Sequence, residues 1–433
     1  MGEIPSKRVS NSSGEDMMRK DHSLYKVPVI PKGHPFENFF SFCPELQKLV
    51  AFSTAMKLPI HRWFYYKPGF APAIVERLLS DYGSKDRGVF LDPFSGVGTG
   101  PMVASRLGYR ATGLDISPLG VAIGKAKVAN LDKEKVLECI ENLDVEKYDH
   151  PINQYYLNRA YDEKIVRRLL GLKASISSVT EDENVHSFLN LCLLSIADKF
   201  ADVKKDGGFL RYFERDKPKD VLDYFRTVAV DFAEDIGKLQ FDISPTFSLG
   251  DARDLPVEDS TVDAVVTSPP YLNRYDYTRI YALELALMGL SDDDVRAIRK
   301  KTLKSHVEAK HQHNSDLSST LFDEVEDELP KRELSNPQIP TMITGYFHDM
   351  AWNIKEVARV LKPGGFTAYV VGNCRFSGIH VEVDAIIGQI AQSYDLEVEE
   401  ILIAKTRGSS AQQVRKYGDL PLRESIVILR KPN

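Results

Sequence analysis

Two stretches of the chain combine residue types that could do chemistry. In VFLDPFSGVGTGPMVASRLGYRATGLD, residues 89–115, Gly96, Gly98 and Gly100 form a G-x-G-x-G turn after an apolar run. Missing side chains there let a ligand approach the backbone. Asp115 stands 19 residues after Gly96, at the end of a second apolar run. At that distance a second-strand carboxylate can accept hydrogen bonds from a ribose diol. A tight structural turn accounts for such glycines taken alone, whereas the joint pattern of strands, turn and acid reads as a nucleoside-cofactor site. GVGTG lacks the Gly-Lys-Ser/Thr ending of a phosphate loop.

The second stretch, VDAVVTSPPYLNRYDY, ends an apolar strand in Thr267-Ser268-Pro269-Pro270-Tyr271. Consecutive prolines at the carboxyl end of a parallel strand stop it, remove two backbone donors and leave carbonyls facing the crevice where such sheets bind ligands. Ser268 before them and Tyr271 after them offer acceptors for an NH₂ group and a face for a planar ring. A loop-forming Pro-Pro followed by a core tyrosine is the plain alternative.

These residues need a frame, and the pattern around them supplies one. From Val89 onward short apolar runs alternate with segments of helical period, which predicts an α/β fold with a doubly wound, mostly parallel sheet. Strands are expected at Gly88–Asp92, Ala111–Asp115, Thr246–Gly250, Val262–Thr267 and Phe366–Val371, and helices at Ala73–Tyr82, Pro101–Gly108, Leu119–Asn130 and Phe347–Leu361. Lys362-Pro363-Gly364-Gly365 should end the last helix and turn the chain into the next strand. Glu400–Lys405 and Ser425–Arg430 read as an antiparallel pair at a sheet edge. Residues 1–23 read as a flexible leader, 24–130 as the part of the core carrying the glycine turn, and 131–240 as a helical insertion. Residues 241–433 read as the part carrying Pro269-Pro270, with an exposed, mobile insertion at 291–345.

The two motifs together resemble the S-adenosylmethionine-dependent DNA methyltransferases that act on exocyclic amines. DPFSGVGT, Asp92 to Thr99, is similar to their cofactor motif, and TSPPY, Thr267 to Tyr271, to their catalytic (D/N/S)PP(Y/F/W) motif, whose serine form is most typical of the cytosine-N4 enzymes. YYKPGFAPAIVERLL, from Tyr65 to Leu79, resembles the segment that precedes and helps close the cofactor pocket; VLKPGGFTAYVVGN and LRESIVILRK extend the resemblance to the C-terminus. It implies a class I, Rossmann-like sheet of seven strands and S-adenosylmethionine held by Lys67, Asp92, Pro93, Phe94, Gly96, Gly98, Thr99, Asp115, Asp251 and Ala252. It also implies Ser268, Pro269, Pro270 and Tyr271 as the catalytic group, and cytosine N4 in a specific sequence of double-stranded DNA as the target, the base being flipped out. A cognate restriction endonuclease is a possible partner. Adenine N6, an RNA guanine-N2 amine and a non-catalytic nucleic-acid-binding subunit are the rival readings. The two insertions carry none of the motifs on which the resemblance rests, and the helical one, 131–240, is a candidate target-recognition region.

Composition bounds the rest. With 43% hydrophobic and 27% charged residues the chain should bury a sizeable core rather than be disordered. Its net charge of −6 excludes a histone-like coat, so a polyanion must meet a local basic patch. Arg274 and Tyr275 after the catalytic loop, with Arg299, Lys300 and Lys301 in the second insertion, are the expected DNA contacts, joined by Arg407 and the stretch Lys204–Arg215. Cys43, Cys139, Cys192 and Cys374 stand far apart without metal-ligand spacing, which suggests neither zinc nor a disulfide framework. No run approaches the roughly 18 apolar residues of a membrane span, and a cytoplasmic protein is expected.

Overall fold

The computed structural model describes residues 30–50, 52–67, 69–310, 315–408 and 411–433. The leader expected at 1–23, and Pro68, lie outside the described residues. Twelve strands are described: β1 Phe40–Phe42, β2 Gly88–Asp92, β3 Tyr109–Asp115, β4 Val203–Asp206, β5 Phe209–Tyr212, β6 Thr246–Leu249, β7 Val262–Thr267, β8 Leu361–Gly372, β9 Cys374–Phe376, β10 Ile379–Val381, β11 Glu397–Arg407 and β12 Leu422–Arg430. Eight of them form one sheet in the order β1-β11-β12-β8-β7-β2-β3-β6. Strands β6, β3, β2, β7 and β8 run parallel, while β12 is antiparallel to both β8 and β11. The expected doubly wound, mostly parallel α/β sheet is therefore present, with eight strands rather than seven.

The extra strand is β1, which pairs parallel to β11, Phe40 opposite Ile401. It also corrects the expectation of an edge pair: β12 lies between β11 and β8, and β11 is covered by β1. A run of three residues is too short to show a period of two, so its strand conformation comes from the neighbour it pairs with. A second difference lies at Lys362-Pro363-Gly364-Gly365. The long helix Ile339–Val360 ends just before it, as expected, but these residues are already part of β8, with Gly364 at φ +75°.

Burial follows from the strand period. Leu91 and Val265 face one side of the sheet, where they pack with the helices Ile339–Val360 and Val383–Gln392. Phe90, Ala264 and Val266 face the other, against Ile74, Val75, Leu78 and Leu79 of the helix Pro72–Tyr82. Central strands covered on both faces read as continuous apolar runs, and Ala264-Val265-Val266 does so within β7.

Residues 133–233 form the helices Lys133–Asn142, Tyr155–Ala160, Glu163–Val179, Glu183–Ile196 and Val221–Ala233, built around buried Trp63, Phe188 and Phe232. Trp63 packs edge-on to Phe188 and stacks on Phe232. Among these helices lies the antiparallel hairpin β4–β5, where helix alone was expected. In the second insertion the helix Asp292–Lys301 starts at a Ser291 capping box, and Leu303 to His306 behind it are buried. Of the cysteines, Cys192 and Cys374 are buried and Cys43 and Cys139 half-buried, and all four are free thiols. Among the described residues no helix is long and apolar enough to cross a membrane.

Candidate active site

Strand β2 delivers Asp92 to the glycine turn, and the helix Thr99–Arg106 carries the chain away from it. Gly96 (φ +51°) and Gly98 (φ +89°) adopt the left-handed conformation that side chains disfavour. A Cβ on Gly98 would lie 2.7 Å from the Phe247 ring, so this glycine serves packing, whereas Gly96 borders an open pocket opposite Tyr66. The turn is strapped to the end of β3: Ser95 N donates to Leu114 O (2.9 Å), and Gly96 N to Asp115 Oδ2 (2.7 Å). Ser117 N donates to the other carboxylate oxygen of Asp115 at 2.8 Å. Burial raises the Asp115 pKa, opposed by the backbone donors of Ser117 and Gly96.

The second motif is bonded directly to the first. Thr267, the last residue of β7, donates its hydroxyl to Asp92 Oδ1 at 2.6 Å, and Phe94 N donates to the same oxygen at 3.1 Å. Burial pushes the Asp92 carboxyl up to about 7, against those two hydrogen bonds. Its Oδ2 and the Ser95 hydroxyl are buried without a hydrogen-bond partner, and both residues line the pocket. The open space at Gly96, with the Asp115 carboxylate beside it at the end of β3, suits the ribose diol of a nucleoside, and the acidic rim suits an ammonium group. The residues present therefore fit an amino-acid nucleoside cofactor.

Ser268 and Pro270 line this same pocket with Asp92, Gly96 and Asp115. The Ser268 hydroxyl donates to Val370 O at 3.1 Å, which leaves its lone pairs to accept. Pro269 is buried and Tyr271 half-buried, and neither is among the pocket-lining residues. The Tyr271 hydroxyl donates to Glu424 Oε1 at 3.3 Å, and the Arg407 guanidinium lies 5.9 Å from its ring centre. Gly372 admits the ring, since a Cβ there would come within 3.1 Å of it. Arg407 also donates to Asn373 O at 2.9 Å, which places it behind the tyrosine rather than on an open surface.

Of the other residues expected at the cofactor, Pro93, Phe94, Thr99 and Ala252 line the pocket. Lys67 does not. Its side chain is exposed, and its backbone N–H donates to the Tyr281 hydroxyl at 2.7 Å. Its neighbours Tyr66, Gly69 and Phe70 form the wall instead. Asp251 lines the pocket, yet its carboxylate is held in a fork by Arg253, at 2.9 Å through Oδ1 and 2.7 Å through Oδ2. Arg253 also bridges to Asp349 and to Lys301 O.

Two further pocket walls are built from segments outside both motifs in the sequence. Tyr66 stacks on Tyr281, with centroids 4.6 Å apart and planes 10° apart, and more loosely on Tyr277 at 6.2 Å. The aromatic run around Tyr65-Tyr66 was a cue. Thr302, Leu303, Ser305 and His306 close another side, and Ser305 O accepts from Arg274 N at 3.0 Å. This part of the second insertion is thus packed on the site, where a mobile loop was expected.

The expected DNA contacts divide. Arg274 is exposed, with the unusual φ of +67°, and Tyr275 is half-buried against Tyr277. Lys300 and Lys301 are exposed. Arg299 departs from the expectation: Nε lies 2.8 Å from Oδ2 of buried Asp276 and 2.9 Å from the Thr278 hydroxyl. A guanidinium engaged inward cannot reach a phosphate without taking the nearest cation from a buried carboxylate. Ligand atoms of Asp276, His306 and Glu308 lie within 4.8 Å of one another. Arg299 and Arg279 (3.5 Å) already serve the Asp276 carboxylate, so the cluster reads as an ion-pair network.

No family model matches the sequence. The chain is similar to the type II methyltransferase M.AvaI of Nostoc sp., with 34% identity over 434 residues and 89% of each chain covered. It is 30% identical to the type II methyltransferase M.BsoBI of Geobacillus stearothermophilus, over 89% of this chain and 88% of that one. Similarity to M.MvaI of Kocuria varians is 23%, over 81% and 85%. Among solved structures, a geranyl diphosphate methyltransferase in complex with GPP and sinefungin aligns with 86% of this chain and 78% of its own, at 10% identity and a TM-score of 0.31. Likeness at that level is too slight to carry an argument.

Proposed function

Because the chain belongs to the type II methyltransferase family, we propose that it methylates the exocyclic N4 amine of cytosine in a specific sequence of double-stranded DNA, with S-adenosylmethionine as the cofactor. The observation that supports this reading most is the shared pocket: Ser268 and Pro270 stand in one cavity with Gly96, Asp92 and Asp115, tied across by the Thr267–Asp92 hydrogen bond.

When bound, S-adenosylmethionine supplies an electrophilic sulfonium methyl. The residues of this chain have to position the amine in line with it, which can provide most of the rate. The amine of cytosine is a poor nucleophile because its lone pair is delocalised into the ring. The Ser268 hydroxyl, donating to Val370 O, presents lone pairs to an N–H of that amine. The carbonyl of Pro269 is the second acceptor in this reading. Two such hydrogen bonds favour a pyramidal nitrogen whose lone pair faces the methyl, a stabilisation directed at the transition state. No strong base is required, since the nitrogen becomes acidic only after it has gained the methyl.

Tyr271 would give the base a stacking face, held by Glu424 at its hydroxyl and by Arg407 at its ring. The base must leave the duplex first, because its amine is otherwise paired. Arg274, Tyr275, Lys300 and Lys301 are the proposed contacts to the flanking backbone, without Arg299. Incubating the protein with duplex DNA and cofactor labelled in the methyl group tests the reading: label should enter DNA with wild type and hardly at all with Ser268→Ala. Absence of label with wild type would overturn it.

A further inference from the structure

Hairpin β4–β5 has no role in the mechanism above, yet it lies against the catalytic loop. Its turn is Gly207-Gly208, with Gly207 at φ +57°. A Cβ on Gly208 would come within 3.2 Å of Arg274 O and 3.5 Å of Tyr275 Cα, so the turn touches the segment that follows Tyr271. The hairpin is also anchored to the pocket wall. Lys205 pairs with buried Glu284 and lies 4.3 Å from the ring centre of Tyr281, the tyrosine that stacks on Tyr66.

The alternation of side chains along the two strands sets what the hairpin presents outward. Leu210 and Tyr212 pack toward the core of the helical insertion, opposite Lys205 and Val203. Lys204, Asp206, Phe209 and Arg211 form the other, exposed face. Phe209 is 58% exposed at the tip of this charged face, 5.9 Å from the Arg279 guanidinium. Single exposed apolar residues are ordinary on protein surfaces. This one sits on a braced two-stranded turn whose Gly208 touches the segment after Tyr271, and it shares its exposed face with the cations Lys204 and Arg211 and with Asp206.

We propose that Phe209 is a wedge that enters the base stack of duplex DNA next to the target and fills the gap left when the base is extruded. Apolar side chains placed this way offset part of the cost of unstacking, and the surrounding cations match the phosphates on either side. The inference rests on the DNA-methyltransferase reading, and its test separates the two.

Single-turnover methyl transfer is measured for wild type, Phe209→Ala and Phe209→Leu on two duplexes, one fully paired and one with an abasic site opposite the target base. On the paired duplex Phe209→Ala should be slower by roughly tenfold or more, with Phe209→Leu between it and wild type. On the duplex whose target is already unpaired, all three should agree within about threefold. Cofactor affinity should be the same in all, since Phe209 lies outside the pocket. Equal slowing on both duplexes, or none on either, overturns the wedge while leaving the methyltransferase reading intact. A wild-type protein that methylates neither duplex overturns that reading and the wedge with it.

Discussion

Asp92 sits in a one-sided environment. One of its oxygens accepts from Thr267 and Phe94, the other has no partner, and burial lifts the carboxyl from 3.8 to about 7. A group that holds its proton more tightly folded than unfolded favours the folded state most at low pH. That advantage is lost as pH rises from the unfolded value through the folded one. The window is therefore about pH 4 to about pH 7, and a gap of roughly three units corresponds to on the order of 4 kcal/mol. Asp92→Asn keeps an oxygen for Thr267 and Phe94 but cannot ionise. Relative to that variant, wild type should lose on the order of 1.4 kcal/mol of stability per pH unit inside the window. Urea unfolding of both proteins without cofactor, from about pH 5 to about pH 7, should then show a difference changing by roughly 2–3 kcal/mol. Parallel profiles, or wild type gaining on the variant as pH rises, would show that burial does not dominate at Asp92.

Gly120→Ala would put a Cβ 2.7 Å from Gly96 O; the turn must shift, and calorimetric titration should show cofactor affinity reduced by about tenfold or more. Arg299→Ala should destabilise the fold by roughly 3 kcal/mol, because it strips the nearest cation from buried Asp276, and should leave the salt dependence of DNA binding as it was. Replacing Lys300 and Lys301 by Gln should leave the melting temperature in place and lower the salt slope by up to about two contacts' worth. Ser268→Ala should slow single-turnover methyl transfer by about 10²-fold or more while DNA affinity stays within about threefold; a rate equal to wild type would remove the hydroxyl from the mechanism.

Legibility in the sequence tracked how local the determining physics was. Strands β2 and β7 fall at the bounds read from their apolar runs, because the first ends in Asp92-Pro93 and the second runs into Pro269-Pro270. Gly96 and Asp115 could be placed because a turn and the strand beside it lie within one short span, and the Gly96–Asp115 hydrogen bond joins them. Residues 302–306 could not, since they reach the pocket only by packing on the segment after Tyr271; Tyr66 lay in the expected pocket-closing segment, but its stacking partner Tyr281 had no local mark. Arg299 misled because a run of like charges reads as a solvated face. On the helix Asp292–Lys301 it stands four residues after buried Val295, on the inward side, and turns to Asp276. The β4–β5 hairpin did have a signal, Gly207-Gly208 between two short runs, but the charges around it and the helices on either side concealed the strand pattern.

Cytosine N4 is the amine proposed to be methylated in this pocket. DNA from cells expressing the wild-type protein, digested to nucleosides and separated by mass spectrometry, tests it most directly, with cells expressing Ser268→Ala as the control. N4-methylcytosine should appear in the first sample and be nearly absent from the second. N6-methyladenine in its place, or no methylated amine in either sample, would contradict it.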